Sequence, residues 1–321
     1  MLKKLFRTTL VSYFFSIKII SNLILKNSTI IVAYHGISFQ PSVFYKTFNL
    51  NIDPFLFEKQ ILWLKENFNI ISPIQLLNKN YKKPAVLITF DDGDKSYIKN
   101  AIPILKKYNI PSINFLNMAV IKGELSWAGI TTYLTHKDKN FLNFIKTQKK
   151  YKKYKKDKNY YLNIDKKILE KFYKKINRKY LFNKIKTYCG KFLSKNDLKI
   201  LQNNNLVYIG NHLYNHYNVT NLSDKDLKNL YNLNQQEIDK YKNSLNFFAY
   251  PFGKEHTCYN SKTTSIINKL GAKAIFSNNP LGFNSKNNFF HRLSLSSQFS
   301  NRELLISHLV LLRLKHFFKN S

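Results

Sequence analysis

Along the chain, short apolar runs alternate with stretches whose apolar residues recur every three or four positions. The run 29–34, Thr-Ile-Ile-Val-Ala-Tyr, is β-branched and bounded by His35-Gly36, so it predicts a strand. The run 85–90 is continuously apolar and stops abruptly at Asp91-Asp92-Gly93, as a strand buried on both faces of a parallel sheet does. Further strands are predicted over 112–116, 206–209, 247–250 and 273–276, and Arg292 lies near another. Between them come helical patterns at 54–68, 96–108, 194–203, 223–242 and 261–270. Asp53 before Pro54 is an N-cap followed by proline at the first helical position. Ser194 with Asp197, and Ser223 with Asp226, have capping-box spacing. Strands alternating with helices predict an α/β fold with parallel strands, either a barrel or an open sheet. In both architectures chemistry collects at the carboxyl ends of the strands.

One region departs from this rhythm. Residues 137–199 hold 22 Lys/Arg against 5 Asp/Glu, a local balance of +17, and Lys149–Lys158 is nearly all Lys and Tyr. Helical stretches around 164–188 predict an inserted Lys-rich helical segment, about 125–193, rather than a linker. The first 27 residues form a basic, apolar segment with Lys3, Lys4 and Arg7 before an apolar stretch. Ser16, Lys18, Ser21 and Asn22 interrupt that stretch, and no small-x-small cleavage site follows. The expectation is an amphipathic helix lying on the protein or on an anionic membrane face, with the chain cytoplasmic, peripheral at the inner face of the membrane.

Composition narrows the classes. The chain has 321 residues, 44% hydrophobic and 15% aromatic, which is material for a packed core and excludes a disordered chain. Two cysteines, Cys189 and Cys258, cannot build a disulfide framework. The formal charge of +34 invites a nucleic-acid reading. However, no nucleic-acid-binding motif spacing accompanies it, and abundant Lys, Asn, Ile, Tyr and Phe fit an AT-rich coding bias. No specific nucleic-acid partner is expected.

Three motifs carry chemistry. Asp91 and Asp92 sit at the mouth of an apolar strand, where adjacent carboxylates are costly unless a cation or a proton offsets them. His212 and His216, in Gly-Asn-His-Leu-Tyr-Asn-His, follow a strand and are four apart, so one helical turn would face both at a single ion. With the Asp pair they predict an Asp-His-His set with open positions, suited to zinc or a similar divalent metal. In Asn246-Phe-Phe-Ala-Tyr-Pro-Phe-Gly253, Pro251 and Gly253 set a tight turn whose backbone N–H groups can point at a ligand. Each motif alone also has an ordinary structural reading.

In this order the motifs resemble the NodB-homology polysaccharide deacetylases, carbohydrate esterase family 4. The resemblance rests on TFDDG at 89–93, H-x-x-x-H at 212–216 and FAYPFG at 248–253. Tyr34-His35-Gly36 resembles the Y-H motif of the branch whose last catalytic strand has moved to the N-terminus. It covers residues 28–320 apart from the Lys-rich insertion. It implies a distorted (β/α) barrel and a metal-dependent hydrolase acting on an N-acetylated carbohydrate substrate, in surface glycan biosynthesis or modification. By the same resemblance Asp92, His212 and His216 would bind the metal, most plausibly zinc, and Asp91 would be the base for the attacking water. The backbone N–H of Phe252 would help hold the oxyanion, and His35 would protonate the departing amine. Pro251 and Tyr34 would support the site.

The chain also departs from the family pattern. Leu213 stands where many members have Ser or Thr, and Ala249 where many carry an Arg that orients the base; Arg292 would substitute from elsewhere. No Leu-x-His appears late in the chain, leaving His291 as an alternative acid to His35, and His308 as a helix-face residue. These departures keep a second class open: a catalytically decayed deacetylase fold serving as a binding or scaffold protein at an anionic glycan or membrane.

Overall fold

The apolar runs become parallel strands, and their two-residue alternation decides what the molecule can do. A computed structural model describes residues 18–148, 162, 164, 166–173, 178–279 and 287–320; Lys149–Lys158 and positions 1–17 of the basic N-terminal segment lie outside the described residues. The main strands are β1 (Thr29–Tyr34), β2 (Ala85–Asp91), β3 (Ser112–Leu116), β4 (Val207–Asn211), β5 (Ser244–Ala249), β6 (Ala274–Ser277), β7 (Phe289–His291) and β8 (Leu293–Ser294). They are hydrogen-bonded in the order β7-β6-β5-β4-β3-β2-β1-β8, every neighbouring pair parallel. The result is a nearly closed barrel with helices around it, as the α/β alternation predicted.

The seam explains the near closure. β7 and β8 are consecutive pieces of one extended segment broken at Arg292: β7 pairs with β6, and β8 pairs with β1 on the other side of the gap. At the changeover the Arg292 N–H donates to Ser277 O at 2.8 Å, and the Leu295 N–H donates to Ala33 O at 3.0 Å. One segment thus hands its hydrogen bonds from the last strand of the sheet to the first.

Alternation sorts the side chains. Ile31, Leu87, Ile113, Phe115, Phe247, Phe276 and Phe290 fill the barrel interior. Ile30, Val32, Val86, Ile88 and Phe90 face the surrounding helices. Thr89 and Asp91 share the inward parity of Leu87, so a carboxylate ends up in the barrel mouth. Arg292 shares the inward parity of Phe290, and its guanidinium meets Asp91 with Nη1–Oδ1 at 2.7 Å and Nη2–Oδ2 at 2.8 Å. Burial alone would raise the Asp91 carboxyl; Arg292, His212 and His35 outweigh it and hold the pKa below its ordinary value. Tyr34 has the outward parity. Its ring packs on Phe57 and Phe90, with centroids 5.0 and 5.6 Å away, and its hydroxyl donates to Gln60 Oε1 at 3.1 Å. Its support for the site is therefore indirect, through the strand end that carries His35. Gly210 answers Phe115 across the β3–β4 pairing, and a Cβ there would lie 2.7 Å from two carbons of that ring.

Helix boundaries follow their caps. Asp53 accepts from the Leu56 N–H at 2.9 Å and Pro54 opens Pro54–Asn67, while Ser194 and Asp197 form a reciprocal capping box. The helix predicted over 96–108 begins instead as a π-turn, Tyr97–Ala101, whose Ile102 N–H reaches Tyr97 O before Ile102–Lys107 continues as an α-helix. The inserted region forms helices Trp127–Lys137, Lys139–Lys146, Lys166–Tyr173 and Arg178–Cys189 around a core of Trp127, Leu134, Phe141, Ile168, Phe172 and Ile185. The helix Lys18–Leu25 buries Ser21 and Leu25 and exposes Ile19 and Leu23. Among the described residues no helix is long and apolar enough to cross a membrane.

Two stability outcomes are expected. Gly210→Ala should cost about 1–3 kcal/mol in urea unfolding, because the ring of Phe115 must move. Arg292→Met should cost about 3–5 kcal/mol, since it leaves Asp91 buried and unpaired. A carboxyl with a lowered folded pKa contributes stability above its unfolded value and loses it as the pH falls through the folded one. Without Arg292, burial raises the Asp91 carboxyl. The Arg292→Met penalty, followed by unfolding midpoints against pH, should therefore begin to shrink already above the ordinary carboxyl value of about 4, as the variant's Asp91 takes up a proton, and go on shrinking until the pH falls through the lowered wild-type value.

Candidate active site

The carboxyl ends of β1, β2, β4 and β5 surround one cavity of about 740 Å³, whose wall includes His35, Asp91, Asp92, His212, His216 and Phe252. Asp91 is 2% exposed and Arg292 is 1% exposed. Each Asp91 oxygen uses one acceptor site on the guanidinium, and Oδ2 still faces His35 Nε2 at 3.9 Å and His212 Nε2 at 4.0 Å. Arg292 is itself held: Nη1 also donates to Thr89 Oγ1 at 3.2 Å, and the guanidinium lies 5.2 Å over the Phe115 ring. An arginine does stand behind Asp91, and it comes from the seam strand; position 249 is an alanine whose carbonyl serves a different purpose.

That purpose is to orient His212. His212 Nδ1 donates to Ala249 O at 2.8 Å, which fixes the proton on Nδ1 and leaves the Nε2 lone pair for the cavity. Nε2 lies 3.6 Å from Asp92 Oδ1, and His216 Nε2 lies 3.1 Å from the same oxygen. The ligand atoms of Asp92, His212 and His216 all fall within 4.8 Å of one another. Burial pushes His212 down to about 4, so it is neutral over most of the pH range. Burial raises Asp92, but His216, His35 and His212 outweigh it and hold its carboxyl far below the usual range. A carboxylate with two imidazoles in reach is a donor set that fits a divalent cation such as zinc.

The local backbone corrects one expectation. His212 and His216 do not lie on a helical turn; they lie in a loop after β4, where Leu213 (φ 63°) and His216 (φ 58°) are left-handed. Their spacing converges on one ion because the loop folds back. Asp92 (φ 70°) and Phe252 (φ 61°) are also left-handed, so strained non-glycine backbone gathers around this cavity. The loop is braced from behind by amides that sequence reasoning missed. Asn211 Oδ1 accepts from the Leu213 N–H at 2.9 Å and from Asn234 Nδ2 at 2.7 Å. Asn234 Oδ1 in turn accepts from the Met118 N–H at 2.8 Å. A polar residue ending a buried strand was a signal for Asn211; nothing marked Asn234, in the helix Asp224–Ile238.

On the far wall, Pro251 and Gly253 form the expected turn, with the Gly253 N–H donating to Pro251 O at 2.7 Å. Phe252 sets its ring edge-on against His216 at 4.7 Å and against Trp127 of the insertion at 6.0 Å. Trp127 also stacks on Tyr217 at 5.4 Å, so the inserted helices buttress the cavity wall. His35 faces the same cavity as His212 and His216. Of the other histidines, His291 pairs through Nδ1 with Ser277 Oγ at 2.6 Å and His308 packs on Phe299 at 5.0 Å; neither lines the cavity.

The chain is similar to known proteins in sequence and in fold. The curated poly-β-1,6-N-acetyl-D-glucosamine N-deacetylase of Staphylococcus aureus is 40% identical over 73 residues, 21% of this chain. The Staphylococcus epidermidis protein of the same name is 40% identical over 65 residues, 19% of this chain. The match spans about a quarter of the length of these curated relatives (25% and 22%). Among solved structures, the Streptococcus pyogenes deacetylase PplD in complex with acetate shares the fold at TM-score 0.56 and 18% identity, over 88% of this chain and 98% of that one. IcaB from Ammonifex degensii aligns at TM-score 0.53 and 16% identity, over 88% and 97%. The sequence profile described as polysaccharide deacetylase matches residues 78–275, from before β2 into β6, and so takes in the Asp pair, both histidines and the Phe252 turn. The chain belongs to the polysaccharide deacetylase family.

Proposed function

We propose that this chain is a hydrolase that removes N-acetyl groups from an N-acetylated sugar or polysaccharide, in the building or modification of a surface glycan. The observation that carries the reading is the convergence on one cavity of an arginine-paired carboxylate, an Asp-His-His donor set, a histidine and a strained backbone turn. Asp92, His212 and His216 would hold a divalent cation, with zinc the best fit to the ligand types. When bound, such a cation supplies Lewis acidity, lowering the pKa of a water and drawing charge from a carbonyl oxygen.

The chain's own groups do the rest. Asp91, kept ionised by Arg292, takes a proton from the attacking water through the Oδ2 edge that faces the cavity. The water oxygen bonds to the acetyl carbon, and the carbonyl electron pair moves onto oxygen. The Phe252 N–H, presented by its left-handed turn, donates to that oxygen; one such donor is worth roughly 10²–10³ in rate. As the C–N bond breaks, its electron pair goes to nitrogen, which takes a proton from His35, and acetate and a free amine result. Poly-β-1,6-linked N-acetylglucosamine, the polymer in the curated relatives' name, is the first glycan to test.

Metal-loaded protein should release acetate from at least one of a panel of N-acetylated glycans, measured by an enzyme-coupled acetate assay. No acetate from any of them would sink the proposal. Asp91→Asn should keep a stoichiometric metal but lose turnover by about 10²–10⁴-fold. His212→Ala should lose the metal itself, read by elemental analysis of the purified protein. A decayed scaffold, by contrast, would hold no stoichiometric ion in the wild type.

A further inference from the structure

Apolar side chains left partly open on the wall of a polar site mark where a ligand presents apolar surface. Phe44, Phe48 and Leu50 line the cavity that holds Asp91 and the donor set, and each is half-buried rather than part of the core. All three belong to the segment that follows His35. Nothing in the proposed chemistry has used them so far.

That segment is pinned. The Gly36 N–H donates to Leu50 O at 2.9 Å, and Gly36-Ile37 pairs in parallel with Asn51-Ile52, so the apolar wall begins and ends beside His35. The Phe44 and Phe48 rings lie 5.3 Å apart, centroid to centroid, and the inserted helices hold both. Tyr188 makes a T-shaped contact with Phe44 at 5.9 Å, and His136 makes one with Phe48 at 5.4 Å. The wall is therefore set before any ligand arrives.

Strand order decides which part of a substrate comes to this wall. Counted either way around the barrel, β1 and β5 stand four places apart, so the loops after them face each other across the mouth. The loop after β5 carries Phe252, whose N–H would hold the carbonyl oxygen, with Lys254 and Thr257 also on the cavity wall. The loop after β1 carries His35, which would protonate the nitrogen. The amide being cleaved thus lies across the mouth, its acetyl end toward β5 and its nitrogen toward β1. The sugar ring is bonded to that nitrogen, so it comes to the side of Phe44, Phe48 and Leu50.

We infer that Phe44 and Phe48 are specificity-determining residues, forming a platform for the apolar C–H face of the pyranose ring that bears the amide. The face of a phenyl ring is electron-rich. The C–H bonds of a pyranose turn slightly positive hydrogens to the ring's faces, while its equatorial hydroxyls point to the rim. Stacking therefore fixes the plane of the sugar and leaves its hydroxyls to the polar parts of the cavity. The inference rests on the deacetylase reading and names the part of the substrate that the β1 side recognises.

The test compares metal-loaded wild type with Phe44→Leu, Phe48→Leu and the double variant, which keep apolar volume but remove the flat face, and with Phe48→Tyr, which keeps it. The substrate is a β-1,6-linked N-acetylglucosamine oligomer, and released acetate is the readout. A platform binds the ring equally before and during reaction, so KM moves and kcat does not. Each single Leu variant should raise KM about 3–10-fold and the double variant about 10–100-fold, with kcat within about 2-fold and metal content unchanged. Phe48→Tyr should keep KM within about 2-fold of wild type. A wall that merely closes the cavity, or that seats the acetyl methyl group, accepts leucine as well as phenylalanine. An unchanged KM in the double variant would therefore overturn the inference, as would a fall in kcat with KM unmoved, or an equal rise in KM for Phe48→Tyr and Phe48→Leu. Should the double variant fail to fold, the Phe48→Leu and Phe48→Tyr pair carries the same decision. If the wild type releases no acetate, the deacetylase reading fails separately, and calorimetric binding of the oligomer decides. Weaker binding in the Leu variants alone supports the inference; equal affinity in all, or no binding by the wild type, overturns it.

Discussion

A carboxylate that is 2% exposed, inside a barrel lined by phenylalanines, stays ionised chiefly because a guanidinium closes on both of its oxygens. The Asp91–Arg292 pair therefore ties the fold to its chemistry. Arg292 is the residue at which the seam segment stops pairing with β6 and starts pairing with β1. The same residue that marks the near closure of the barrel sets the charge of the group best placed to take a proton. Arg292 is positioned in turn by Thr89, by the Phe115 ring and by its own backbone bond to Ser277. A buried ion pair is often no more stabilising than a hydrophobic substitute. On the proposed mechanism its value is functional, since an apolar replacement would leave nothing to accept the proton.

Around that pair the polar groups are arranged outward in order. The Ala249 carbonyl sets the tautomer of His212, the Asn211–Asn234 amides hold the loop that carries both histidines, and the inserted helices press Trp127 against Phe252. The Lys-rich character of residues 137–199 accounts for half the net charge, but the groups on which the proposed chemistry rests are acids and imidazoles in the barrel mouth. The formal charge of +34 thus says little about the reaction.

Much of this could be read before any coordinates. Buried parallel strands write themselves as apolar runs, and β2 ending in two aspartates placed the site at a strand mouth. The helix caps at Asp53 and Ser194 are local hydrogen bonds between near neighbours, so their residue types suffice. What stayed hidden depends on long-range geometry. The four-residue spacing of His212 and His216 pointed to the right pair for the wrong reason, because a loop with two left-handed residues mimics a helical turn. Tyr34 read as a neighbour of the site, yet strand parity turns its ring into the outer layer. A strand near Arg292 was legible, but its break into β7 and β8 and the change of pairing partner were not, and Asn234 acquires meaning only from what lies opposite it in space.

In the proposed mechanism Asp92, His212 and His216 together hold one divalent cation beside Asp91. Anomalous diffraction at the zinc edge, from crystals of the protein grown with zinc, tests this most directly. The expected result is a single strong peak bonded to an Asp92 carboxylate oxygen and to Nε2 of both histidines, at about 2.0–2.2 Å. A map with no ion on these three residues, or with zinc bound only elsewhere, would contradict it.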